Sequence, residues 1–144
     1  MKPSEIIKLL PYQQPFLFVD ELEEISENGV IGSYTFKDSE FFYKGHFKEN
    51  PITPGVILTE TAAQIGVVCL GVYLLKDTIS EEKTPQIGLT SNEMDFFIPV
   101  LPGESIKVIS EKVFFRFHKL KCNVKLFNAK DELVARGIIS GMIK

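Results

Sequence analysis

The run from Val56 to Leu75 is long and apolar enough to span a membrane, yet it contains Glu60 and Gln64. A carboxyl group and a primary amide are too costly to place in lipid without a purpose, so the run reads as a buried helix. Wound as an α-helix it reaches about 30 Å, the breadth of a small domain. Ile57, Leu58, Ala62, Ala63, Ile65, Val67, Val68, Leu70, Val72 and Leu74 leave it no continuous polar face. A helix apolar all round must be wrapped by something.

The rest of the chain supplies the wrapping. Ser4 to Leu10 reads as a short helix, with Ser4 as N-cap and Pro11 ending it. Phe16 to Ile25 is rich in strand formers, and Asn28-Gly29 signals a hairpin into Val30–Phe36. Lys37 to Pro54 is loop-like, with Gly45, Pro51 and Pro54, and a polar loop follows the helix from Lys76 to Thr84. Beyond it Ile106 and Val108, then Cys122, Val124 and Leu126, then Leu133, Ala135, Gly137 and Ile139 keep a period of two. Turns are expected at His118-Lys119 and Asn128–Asp131. The fold class is therefore α+β: one long central helix wrapped by a curved antiparallel sheet of five to six strands. One sheet cannot cover such a helix completely, and a second copy of the chain is the simplest cover for what remains. No repeat or internal boundary divides the 144 residues, so 1–144 is read as a single domain.

Several function classes fall away on composition. A net charge of −3 without a Lys/Arg run argues against nucleic acid. Cys69 and Cys122 stand far apart and read as free buried thiols; with only His46 and His118 besides, no metal-ligand set forms. Met1 to Glu5 begins a short amphipathic stretch rather than a signal peptide, so a cytoplasmic, non-membrane protein is expected. Twelve Phe and no Trp imply a core or pocket lined with flat apolar rings.

The chemistry concentrates between Gly45 and Gln64. His46 lies in the loop leading into the central helix, Glu60 stands inside that helix, and Gln64 follows four residues on, on the same face. A carboxyl in apolar surroundings has its pKa raised by desolvation, which suits a general acid. An imidazole that is neutral near physiological pH serves as a base. Pro54-Gly55 opens the helix, and the free N–H groups there, Gly55 with Val56 beside it, suit a carbonyl oxygen gaining negative charge. Base, acid and oxyanion donor are what elimination of water beta to a thioester carbonyl requires. His46 would remove the alpha proton, Glu60 would protonate the leaving 3-hydroxyl, and Gln64 would hold Glu60. Each residue alone has a plain structural reading, a loop histidine or an interface ion pair. Their joint placement is what points to catalysis.

Gly45-His46-Phe47, Pro51, Pro54-Gly55-Val56, Glu60 and Ala63-Gln64 resemble the signature of the FabZ-type 3-hydroxyacyl-[acyl-carrier-protein] dehydratases. Leu10-Pro11, Pro15–Asp20, Phe41-Phe42, Pro99-Val100 and Pro102-Gly103-Glu104 extend the resemblance over roughly residues 9 to 115. It implies a hot-dog fold and a lyase of fatty-acid or related polyene or polyketide-like biosynthesis. It further implies a site at a dimer interface, with His46 of one subunit facing Glu60 of the other. No cofactor is implied. The partner is acyl carrier protein bearing a 3-hydroxyacyl chain, and a homodimer is expected, with a hexameric trimer of dimers open beyond it.

The sequence also departs from that pattern. Tyr12 stands where many members have His, Lys48-Glu49-Asn50 replaces Pro-Gly-His, and Phe97-Ile98 replace basic residues that help to dock the acidic carrier. Arg116, His118, Lys119 and Lys121 form either an ordinary solvated hairpin turn or a substitute positive surface. Three alternatives stand beside the dehydratase: a hot-dog thioesterase, an enoyl-CoA hydratase, and a non-catalytic acyl-binding subunit.

Overall fold

Six antiparallel strands curl around the expected helix in a computed structural model that describes all 144 residues. In chain order the elements are α1 (Pro3–Lys8), β1 (Glu21–Ser26), β2 (Gly29–Thr35), α2 (Gly55–Leu74), β3 (Ile87–Phe96), β4 (Ser105–Arg116), β5 (Lys119–Phe127) and β6 (Leu133–Ile143). The strands lie in the order β1-β2-β4-β5-β6-β3, every neighbouring pair antiparallel. This is the hot-dog arrangement, helix as filling and sheet as wrapping.

The helix α2 packs on β2, β4, β5 and β6. Its most apolar window has a mean hydropathy of 1.7 and is 83% buried inside the fold, which is where its all-round apolarity goes. It is α-helical over Gly55–Ala63, π-wound over Gln64–Cys69, and α-helical again over Leu70–Leu74. Within the π-wound segment the Gly66 carbonyl accepts a hydrogen bond from the buried Ser110 hydroxyl of β4 at 2.8 Å. A Cβ on Gly66 would come within 3.0 Å of Ser110 Cβ, so the missing side chain is what lets helix and strand approach.

Where the sequence reading misplaced an element, a competing contact explains it. The opening helix starts at Pro3, not Ser4, and Lys2 occupies its N-cap; proline's fixed φ suits the first helical position. Phe16 to Asp20 is not strand, because Gln64 stands in for a neighbouring strand there. Its Oε1 accepts from Phe18 N–H at 2.8 Å and its Nε2 donates to Phe16 C=O at 3.0 Å. The β1–β2 turn is Glu27-Asn28, with Gly29 already paired to Ser26. Gly29 serves the sheet rather than the turn, since a Cβ there would lie 2.3 Å from the Ser110 carbonyl oxygen. The β4–β5 turn is Phe117-His118, one residue earlier than expected, and both residues have positive φ (51° and 63°), as a two-residue hairpin turn of this kind demands. The Asn128–Asp131 turn stands as read, with Asn128 Oδ1 accepting from Lys130 and Glu132 N–H.

The sheet's two outer strands differ. β3 is exposed along nearly its whole length and pairs only with β6, so its second edge is free. Leu89 and Phe96 on it, with Phe97 just beyond, are half-exposed, and Val56 at the start of α2 is 75% exposed. Cys69 and Cys122 are free and buried. Arg116 and Lys121 lie over the Phe114 ring at 4.3 and 6.0 Å, which places part of that basic cluster along β4 and β5 rather than in the turn alone.

Candidate active site

Five residues singled out by the sequence fall into two groups. The first belongs to the loop before α2. A short 3-10 turn, Phe41–Lys44, delivers the chain into Gly45 and His46. The His46 ring lies against Phe47 with centroids 4.0 Å apart, and its Nδ1 is 2.9 Å from the Ile52 carbonyl oxygen. A carbonyl can only accept, so Nδ1 carries the hydrogen and the neutral ring presents an unprotonated Nε2. Ile52 N–H donates back to His46 C=O at 2.8 Å, closing a two-bond rung between the residues. At the helix start, Pro54 C=O accepts from Ile57 and Leu58 N–H. The Gly55 and Val56 N–H groups belong to the first turn and have no intrahelical acceptor. The Phe96 ring stands over Gly55, its atoms 3.3–3.5 Å from where a Cβ would sit.

The second group belongs to the helix face. Gln64 is fully buried, and besides its two bonds to the opening segment it donates to Glu60 Oε2 at 3.0 Å. Every polar atom of Gln64 is thereby committed, which fixes its amide and with it the Glu60 carboxylate. Burial raises the Glu60 pKa above the ordinary carboxyl value, and the Gln64 hydrogen bond pulls it part of the way back. Glu60 opens onto a cavity of about 220 Å³ whose other walls are mainly apolar: Phe16, Ala63, Val67, Val68, Ile87 and Leu89 among them. A larger groove of about 400 Å³ lies on the sheet's outer face among Glu93, Asp95, Glu111, Lys125 and Arg136. Its mixed charges suit an acyl chain poorly, so the Glu60 cavity is the candidate site.

The sequence reading gave Tyr12 no part, yet it lines the Glu60 cavity. Burial first, and then the Glu60 charge, push its phenol well above the ordinary tyrosine value, so it stays protonated. Phe96 over Gly55 was likewise not singled out. No local pattern marks either residue, because both arrive from distant segments: Tyr12 after α1, Phe96 at the end of β3.

His46 is not among the residues that wall the Glu60 cavity. The helix start meets the Phe96 end of β3, whereas the Glu60 cavity opens beside Ile87, Gly88 and Leu89 at the other end of that strand.

Residues 10–135 match the family model described as the FabA-like domain. A 3-hydroxyacyl-[acyl-carrier-protein] dehydratase FabZ of Clostridium perfringens is 34% identical over 116 residues, spanning 81% of this chain and 80% of that protein. The FabZ of Sinorhizobium medicae is 36% identical over 144 aligned positions, 97% of this chain and 88% of that protein. Among solved structures, the dehydratase heterocomplex ApeI:P from Xenorhabdus doucetiae superposes with a TM-score of 0.81 at 12% identity, covering 100% of this chain and 92% of that one. A hypothetical thioesterase with coenzyme A from Streptococcus pneumoniae gives 0.63 at 12% identity, covering 86% and 84%. The last two likenesses speak for the fold alone.

Proposed function

This chain belongs to the FabA-like family, and from that premise we propose that it dehydrates 3-hydroxyacyl chains carried on acyl carrier protein to trans-2-enoyl thioesters, as a single cytoplasmic domain in fatty-acid biosynthesis. In this reading the Nε2 lone pair of His46 takes a proton from C2. The electron pair left behind delocalises onto the thioester oxygen, held by the Gly55 N–H with Val56 beside it. The C3–O bond then breaks as Glu60 protonates the hydroxyl, and the products are the conjugated enoyl thioester and water. Protonated His46 and anionic Glu60 exchange a proton through solvent to reset the site.

The observation that carries the reading is the Glu60 carboxyl, held by Gln64 and opening onto a mainly apolar cavity. A desolvated carboxyl with a raised pKa is a ready proton donor, and a committed amide keeps it pointed. A thioesterase is the less favoured reading because a His base and a protonated carboxyl together supply what elimination across C2–C3 needs, whereas hydrolysis has no use for an acid at the 3-hydroxyl.

The working unit in this reading is a homodimer. The free β3 edge, half-exposed Leu89 and Phe96, and exposed Val56 form one surface for a second copy to cover. A two-fold axis through the middle of β3, pairing it antiparallel with its mate, carries the Phe96 end of one chain to the Ile87 end of the other. His46 of one subunit is thereby brought toward Glu60 of its partner.

The deciding experiment follows the ultraviolet absorbance of a short 2-enoyl thioester with purified protein, wild type beside Glu60→Gln. Loss of the conjugated signal in wild type alone, with the thiol still esterified, is the expected result. Release of free thiol would replace the dehydratase with a thioesterase, and binding of acyl carrier substrates without any turnover would leave a non-catalytic subunit.

A further inference from the structure

We propose that Tyr43 and Thr53 form a latch that positions His46 by fixing the carbonyl that selects its tautomer; this rests on the reading of His46 as the base. The loop carrying His46 is mostly exposed: Lys44, Gly45 and Phe47 to Pro51 all face solvent. Beneath it, Tyr43 Oη and Thr53 Oγ1 share a 2.6 Å hydrogen bond, with both residues buried (6% and 3% exposed). It is the one side-chain to side-chain hydrogen bond that ties the two ends of this loop together.

The geometry explains how such a bond reaches the imidazole. The Ile52 carbonyl that accepts from His46 Nδ1 belongs to the same planar peptide unit as the Thr53 N–H. That N–H donates to Val100 C=O at 2.8 Å. One rigid plane is thus held by Val100 on one side and reads the His46 ring on the other, while the Thr53 side chain fixes its rotation from Tyr43. Above the latch lie the His46–Ile52 rung and the reciprocal Phe47–Asn50 bonds at 3.1 and 3.3 Å, both near water and easily exchanged with it. A Phe–Val pair would fill the same space without burying polar atoms, so filling space does not account for the hydroxyls. Direction does, because a hydrogen bond specifies an angle that an apolar contact leaves loose.

Tyr43→Phe and Thr53→Val each remove the bond with little change of shape, and Thr53→Ser retains the hydroxyl. The expected result is a kcat lower by about tenfold in the first two, with KM within about twofold, because a displaced base costs rate more than binding. The double variant should lose no more than either single one, since one bond is removed once. Imidazole ¹⁵N spectra give a readout that a merely structural role would not move. Wild type should hold His46 in the Nδ1–H form, the two variants should mix it with the Nε2–H form, and Thr53→Ser should restore the wild-type spectrum and rate. An unchanged tautomer in folded Tyr43→Phe and Thr53→Val overturns the latch. A shifted tautomer with undiminished turnover upholds the latch and overturns the base role of His46 instead. A cooperative melt for each variant separates both outcomes from a failure to fold.

Discussion

The two halves of the site are held by different means. His46 stands on a solvent-facing loop and is bound through main-chain groups, Ile52 C=O to the ring and Ile52 N–H back to its own carbonyl. Glu60 stands on a buried helix whose backbone is already fixed, and a single side chain, Gln64, points its carboxylate. What each anchoring controls is different too. For the loop it is which nitrogen carries the hydrogen, and for the helix it is how readily a carboxyl gives up a proton. A base on an exposed loop needs its orientation built, whereas an acid on a buried helix needs only its environment tuned.

The hardest test of that division removes the two functional groups. Glu60→Gln and His46→Ala should each lower kcat by at least ~10²-fold, with smaller changes in substrate binding. If the halves meet across a dimer, mixing the two inactive proteins and allowing subunits to exchange should recover about a quarter of wild-type activity. Half of the dimers would then be mixed, and each of those would hold one intact site. No recovery, with mixed dimers demonstrated by mass spectrometry, would put both groups in one chain and dissolve the comparison.

A milder cut falls on the helix half alone. Gln64→Leu strips Glu60 of its one hydrogen bond and orphans Phe18 N–H and Phe16 C=O. The buried Phe18 N–H left without a partner costs about 1–3 kcal/mol, and the half-exposed Phe16 C=O less, so the melting temperature should drop by several degrees. The lost bond is the one that pulls Glu60 down, so its pKa should rise further. Dehydration needs Glu60 protonated, and its rate falls as pH climbs through that pKa. The alkaline limb of kcat should therefore move to higher pH in Gln64→Leu. A limb that stays in place would mean that Gln64 serves the opening segment and not the acid.

Smaller still is the effect expected at the helix start. Gly55→Ala adds a Cβ 3.3 Å from the Phe96 ring, tight but able to be relieved because that ring is half-exposed. The fold should survive with its melting temperature nearly unchanged, while kcat falls as Phe96 and the first-turn N–H groups shift. Equal losses in kcat and kcat/KM would locate the contribution in the transition state, as an oxyanion donor requires.

The sequence made the central helix legible because nothing else explains an apolar run of that length containing Glu60 and Gln64. Strands with one buried face, such as β4 and β5, were legible from their period of two, while β6, buried on both faces over Val134-Ala135 and Ile139–Gly141, keeps it only in part. β3 was not, since a strand exposed on both faces has no alternation to read. His46, Gly55, Glu60 and Gln64 were visible as a local cluster within twenty residues. Their arrangement was not, because it depends on groups far along the chain: Phe16 and Phe18 on Gln64, Val100 on Thr53, Phe96 on Gly55. Short-range patterns can name the reacting groups. Long-range contacts decide which way they face.

The finest test compares the halves by stability rather than rate. Burial raises the Glu60 pKa in the folded chain above its unfolded value, so the native state holds that proton more tightly. Below the ordinary carboxyl value both states are protonated and the group costs nothing. As pH rises from there through the raised value, the folded chain must ionise a partly desolvated carboxyl, and stability is lost until that titration is complete. Glu60→Gln never ionises and keeps an amide able to accept from Gln64. It should therefore gain stability relative to wild type at about pH 8 compared with about pH 4, by a small amount because Glu60 is only half-buried. Tyr43→Phe offers the contrast, since burial raises the Tyr43 phenol and keeps it protonated across the same range. Denaturant melts at the two pH values would measure both. An offset for Glu60→Gln equal at the two values would mean that the carboxyl is as well solvated as any surface acid, and the helix half would lose the property that distinguishes it from the loop.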